Sequence, residues 1–229
     1  MSEKVKRQKL SERILPTYTK GEEIFNMTSH IVGAAWGVAY LVLCVIMAAV
    51  HHNVMGVVSS AIYGATVIVL FTMSSVYHGL KPCTGKKVLQ IIDHCSIYLM
   101  IAGTYTPIAL CAVRGQNTAT GWVLFGIIWA VTAFAATFTA IDLNKYKKLS
   151  MICYLGMGWC VVGFWSITYR AIGFGGALFL IAGGVLYTIG AVLYGLGKKK
   201  KLRYMHSVFH LFVNLASLCH FFCILFYVV

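Results

Sequence analysis

Apolar positions run almost unbroken along this chain, and polar ones gather in short clusters between the runs. Stretches long enough to cross a hydrocarbon layer of ~30 Å occupy about 24–50, 54–79, 89–112, 120–141, 149–169, 172–196 and 205–228. Each predicts a membrane-crossing helix, and together they predict an all-α membrane protein, a seven-transmembrane helix bundle. The second run is interrupted by Gly64 and the third by Pro107, and the sixth is glycine-rich, "GFGGALFLIAGGVLYTIG". Membrane helices tolerate such breakers when neighbours satisfy the backbone, and glycine lets helices approach closely. Residues 1–23 read as a basic cytoplasmic tail, too short to fold alone, and 24–229 as the membrane domain.

Composition agrees with the pattern. The 229 residues are 59% hydrophobic and 11% charged, with a mean hydropathy of +0.80. A soluble domain cannot hide that much apolar surface. Only three prolines occur, which suits long helices. None of the eight cysteines forms a C-x-x-C pair, so they read as buried thiols acting as small hydrophobes. The basic start is followed by a full-length span rather than a short apolar run with a cleavage site, so the first helix is expected to remain as an anchor.

Charge then orients the bundle. Every Lys and Arg except Arg114 and Arg170 lies in the N-terminal segment or in the second, fourth and sixth connections. The positive-inside rule places those segments, and the N-terminus, in the cytoplasm of a cell-membrane protein, with the C-terminus outside. The net charge of +13 is mostly this signal. It suits anionic inner-leaflet lipid as a partner. The basic residues are scattered over short segments beside the membrane, so nucleic acid is not expected.

Polar residues inside the spans carry the candidate chemistry. Asp93, in "VLQIIDHCSIYLMIAG", sits about one turn inside the third span, where a carboxylate costs a few kcal/mol and normally faces protein or water. Ser74 and His78 share a face at the end of the second span, and His206 and His210 share one at the start of the last, "HSVFH". Each pattern is weak alone. The expected topology brings all of them to the cytoplasmic third. Three imidazoles form an open zinc site whose fourth position is left to water. Asp93 then accepts a hydrogen bond from that water, and Ser74 can bond the same water or a substrate oxygen. Glu22, Asn26 and His30 form a further i, i+4, i+8 ladder in the first span, suited to packing or hydrogen bonding behind the ligands. His51, His52, His94 and His220 are expected to lie elsewhere.

The segments "EEIFNMTSH", "SSVYH", "IDHCSIYLMIAGTYTP" and "HSVFH" together resemble the hemolysin III proteins, the bacterial branch of the progestin and adipoQ receptor family. More distantly, the chain is similar to alkaline ceramidases. The resemblance covers nearly the whole chain. It implies seven helices around an intramembrane zinc near the cytoplasmic face, with the family's three histidines falling on His78, His206 and His210 and its acid and serine on Asp93 and Ser74. The short segment before the first span leaves no room for a regulatory domain. The leading expectation is a zinc-dependent hydrolase of a lipid amide or ester. The alternatives are a pore-forming cytolysin, which would need a polar stripe through several helices, and a receptor or scaffold with structural zinc.

Overall fold

The computed structural model describes residues 10–229, and the start of the expected basic tail falls outside them. Among the described residues the regular structure is entirely helical. Helix α1 spans Lys20–Val50, α2 Val54–Gly79 and α3 Thr84–Pro107. The chain stays helical beyond α3 through a π-helical turn, Ile108–Val113, and a short turn, Arg114–Gln116. Then follow α4 (Thr118–Ile141), α5 (Lys147–Gly158), a 3-10 turn (Cys160–Phe164), α6 (Trp165–Lys200) and α7 (Met205–Tyr227). Six continuous helical stretches are long and apolar enough to cross a membrane, Thr84–Gln116 and Lys147–Lys200 each counting once.

The helices begin where local chemistry starts them. Thr19 caps α1 in a capping box with Glu22: the Glu22 N–H donates to the Thr19 hydroxyl, and the Glu22 carboxylate accepts from the Thr19 N–H. Asn53 and Asn117 cap α2 and α4 through their side-chain oxygens. Helix α6 ends in a left-handed residue, Lys201, just after Lys198, Lys199 and Lys200, cations that suit the negative end of the helix dipole.

The Lys147–Lys200 stretch is 54 residues long, about 80 Å if straight, far more than a bilayer. It is not straight. Gly173 adopts φ 65° and ψ −172°, a conformation natural only to glycine. The Trp159 indole N–H donates to the Thr188 hydroxyl at 3.0 Å, a contact that two residues so far apart in sequence make only if the chain folds back between them. Pro107, expected to interrupt the third run, does not end it. The chain instead widens into the π-helical turn, and the Thr104 and Thr106 hydroxyls donate to the Met100 and Ala102 carbonyls nearby.

Helix α1 packs on α2, α2 on α3 and α6 on α7, and α7 closes back on α1. The α1–α2 contact is close because Gly64 has no side chain: a Cβ there would lie 2.6 Å from the Leu41 Cα. Outward faces carry exposed Val32, Leu43, Ile46, Val123, Phe134 and Ile152, apolar surface that fits lipid and not water. Away from the basic connections the interior is not purely apolar. Ser59, Ser60 and Tyr63 of α2 are buried, and Ser217 hydrogen-bonds Tyr40 and Tyr187. Uncharged hydroxyls therefore lie in that part of the bundle. Ser59 donates to the Gly56 carbonyl at 3.2 Å, while the Ser60 and Tyr63 hydroxyls have no hydrogen-bond partner among the described residues; a neutral hydroxyl costs far less to bury than a charge.

Candidate metal centre

Topology builds the site from helix ends. Helix α2 ends one residue after His78, and α7 opens with His206 and His210 one turn apart. Both ends meet beside the first turns of α1 and α3. The His206 Nε2 lies 3.3 Å from the His78 Nε2 and 3.1 Å from the His210 Nε2. All three ligand atoms fall within 4.8 Å of one another. One N–H on His206 cannot serve both short contacts well, whereas a single cation would satisfy all three lone pairs. Nitrogens ~2.0–2.1 Å from a zinc stand about 3.3 Å apart in a tetrahedron, so the observed spacing fits. His78, His206 and His210 could therefore hold a metal ion.

Around the triad, each neighbour has a defined contact. His30 stacks on His210, ring centroids 3.7 Å apart at 14°, and neither of its nitrogens has a hydrogen-bond partner. Asn26 accepts from the Ser207 hydroxyl at 2.7 Å, fixing α7 against α1 beside the ligands. Asn214 donates to the His210 and Ser29 carbonyls, and a Cβ on Gly33 would come within 2.7 Å of its side-chain oxygen. Asp93 and Ser74 are buried. The Ser74 hydroxyl is within hydrogen-bonding reach of the Asp93 carboxylate, which also interacts electrostatically with His78. His94 is no part of the triad: its Nδ1 donates to the Gln90 carbonyl at 2.8 Å and lies 3.8 Å from the Asp93 carboxylate.

Glu22, the first member of the expected ladder, bonds the residues that open α1 and α7 and not the imidazoles. Besides closing the capping box it accepts the Tyr204 N–H at 2.7 Å, tying the start of α7 to α1. The acid that reaches the triad is its neighbour. Glu23 Oε2 accepts from the His78 Nδ1–H at 2.6 Å, and its other oxygen accepts from Lys86 Nζ at 2.6 Å. Sequence reasoning missed it. The signal was present: Thr19-x-x-Glu22 is a capping-box pattern that claims Glu22, while Glu23 stands seven residues before His30 and so shares its face.

Tyr18 was also not anticipated, because it precedes the first span. Its ring stacks on His206, centroids 5.1 Å apart at 15°, and tilts against His78 at 5.7 Å. The chain before it lies across the same end of the bundle, where Lys87 Nζ donates to the Ser11 carbonyl at 2.6 Å and Arg13 is buried. Burial raises the Tyr18 hydroxyl well above an ordinary phenol, reinforced by Tyr194, Tyr77 and the Glu23 and Asp93 carboxylates. Burial likewise lowers the Arg13 guanidinium, opposed by Asp142. Tyr18 thus covers the triad on the side of the basic segments.

Six apolar helices around a buried histidine cluster define a multi-pass membrane protein with a candidate metal centre. A sequence profile of the family described as "Haemolysin-III related" matches residues 18–221, and the chain belongs to that family, in the cell membrane. It is 36% identical over 207 residues to Hemolysin-3 of Bacillus cereus, covering 90% of this chain and 92% of that protein. To the Hemolysin-3 homolog of Bacillus subtilis (strain 168) it is 34% identical over 212 residues, covering 93% and 97%. Similarity reaches further, to the ADIPOR-like receptor IZH2 of Saccharomyces cerevisiae, 30% identical over 161 residues, 62% of this chain and 49% of that one.

Proposed function

We propose that this protein is a zinc-dependent hydrolase of a lipid amide or ester, working at an intramembrane site near the cytoplasmic face. The observation that carries the reading is the convergence of three Nε2 atoms from α2 and α7, 3.1 and 3.3 Å apart along the two shortest edges, beside a buried carboxylate. A bound zinc would supply Lewis acidity and a water acidified toward a pKa of ~7. Asp93 is the group placed to take a proton and return it to a leaving amine or alkoxide. Ser74 hydrogen-bonds that carboxylate and helps to orient it. Tyr18 shields the site from bulk water, so substrate reaches it sideways from the bilayer, where the apolar outward faces meet lipid tails.

The same reading takes the Lys147–Lys200 stretch as two spans joined at Gly173, which makes seven. The excess of Lys and Arg at the end that carries the triad favours a cytoplasmic N-terminus and an outer C-terminus, with anionic inner-leaflet lipid against the basic segments. The Bacillus relatives are named for hemolysis. A lytic pore is less well supported here, because the charged residues buried among the described ones gather at one end of the bundle.

The test begins with elemental mass spectrometry of detergent-purified protein, which should find close to one zinc per chain. Hydrolysis of short-chain lipid amides and esters is then compared between wild type and Asp93→Asn. The variant should keep its zinc and lose about 10²–10⁴-fold in turnover. Full zinc occupancy with no hydrolysis of any substrate in either protein would turn the reading to a receptor or scaffold with structural zinc.

A further inference from the structure

We propose that Glu23 and Lys86 act as a two-residue relay that positions His78, one ligand of the triad, so that metal affinity is set partly by a lysine that touches no imidazole. The inference rests on the metal reading of the triad.

The geometry starts at the His78 ring. Its Nδ1–H donates to Glu23 Oε2 at 2.6 Å. A carboxylate on Nδ1 keeps the proton on that nitrogen and leaves the Nε2 lone pair free, facing the Nε2 of His206. It also stops the ring from rotating and raises its basicity as a ligand. The other two histidines have no such anchor. Among the described residues the His206 Nδ1 has no hydrogen-bond partner, and His210 is held only by neutral groups, the Asn26 backbone and the Ser29 hydroxyl 3.5 Å from its Nδ1. Among the described residues, His78 is the one member of the triad held by an anion.

Glu23 is held in turn. Its second oxygen accepts from Lys86 Nζ at 2.6 Å, and the same ammonium donates to the Leu80 carbonyl at 2.8 Å. Leu80 caps the C-terminus of α2, two residues beyond His78, where the last carbonyls carry the negative end of the helix dipole and favour a cation. The ring therefore closes: His78 to Glu23, Glu23 to Lys86, and Lys86 back to the helix that bears His78. Lys86 is only 3% exposed and lies 5.2 Å from the Tyr77 ring, so its charge is committed to this contact. A simple clamp between helix ends would account for the ion pair. It would not account for the carboxylate being shared with a ligand's Nδ1.

The experiment uses Co2+, whose visible absorption reports both affinity and ligand geometry, titrated into the full-length protein in detergent. Glu23→Gln should bind Co2+ about 10–100-fold more weakly than wild type, with a shifted band. Lys86→Met should weaken binding less, and the double variant should be no weaker than Glu23→Gln alone, as expected if Lys86 acts only through Glu23. Thermal unfolding of the metal-free proteins separates these effects from stability. Wild-type affinity and spectrum in Glu23→Gln, or additive losses in the double variant, would overturn the relay and leave the metal reading standing. No Co2+ bound by folded wild type would overturn the metal reading, and the relay with it. Should Glu23→Gln not fold, Lys86→Met and Lys86→Arg decide: weaker binding in the first, recovered in the second, supports the relay, and wild-type binding in both rejects it.

Discussion

Two histidine environments in this bundle make an instructive pair. The triad brings His78, His206 and His210 together from two helices, nitrogen against nitrogen, with a carboxylate behind one ring and a tyrosine stacked on another. His220, two to three turns further along α7, is half-buried, lies against the Tyr187 ring and meets no other histidine among the described residues. Its Nε2 lies 3.2 Å from the Leu180 carbonyl, and it lines an apolar cavity of about 300 Å³ with Tyr105, Trp159 and Trp165. One donor and one backbone acceptor settle its account. The contrast shows that a histidine in a membrane helix is not by itself a site. What makes one is convergence of several nitrogens that cannot satisfy each other.

The comparison can be broken in four ways. His210→Ala should have the largest effect: zinc measured by elemental mass spectrometry should fall from near one per chain to background, because two nitrogens rarely hold the ion against detergent and buffer. Zinc retained in that variant would mean that the imidazoles are not ligands. Next comes Ser74→Ala, which removes the hydroxyl beside Asp93. A hydrogen bond to a charged group is worth about 1.5–3 kcal/mol, so lipid hydrolysis should fall about 10–100-fold with zinc unchanged.

Smaller effects are expected away from the site. Gly173→Ala forces a side chain into φ 65°, ψ −172° and should cost roughly 1–3 kcal/mol, read as a lowered unfolding temperature in detergent without loss of zinc. An unchanged unfolding temperature would argue against a reversal at that residue. Last, His220→Leu exchanges one hydrogen bond for apolar contact. It should alter stability by about 1 kcal/mol or less and leave metal content at the wild-type value. Loss of metal from His220→Leu would erase the distinction between the two environments.

Much of this was legible beforehand, for identifiable reasons. Length and continuity of apolar runs mark membrane spans because lipid offers the backbone no hydrogen bonds, and so a helix must close all of its own. That constraint is local, and α1, α2, α4 and α7 lie within a few residues of the runs that announced them. The two i, i+4 pairs were readable for the same reason, since helical periodicity alone puts Ser74 by His78 and His206 by His210. The choice between Glu22 and Glu23 was only half legible: the Thr19-x-x-Glu22 capping box claims Glu22, but nothing local says that Glu23 meets an imidazole. Both lie on the first turn of α1, and which one meets an imidazole depends on how α1 is rotated against α2, a matter of packing at Gly64 and Gly33.

What the sequence determined by itself, then, is that this chain lives in a membrane, which segments are apolar enough to cross it, and which histidines stand on common helix faces. These follow from interactions within one helix or between a helix and lipid. The tertiary structure alone decided that three of those histidines meet at Nε2, that Glu23 and Lys86 stand behind His78, that Tyr18 closes over His206, and that the Lys147–Lys200 stretch turns back at Gly173. Each depends on the rotation and depth of one helix against another. Those are set by ångström-scale side-chain packing that no single segment encodes.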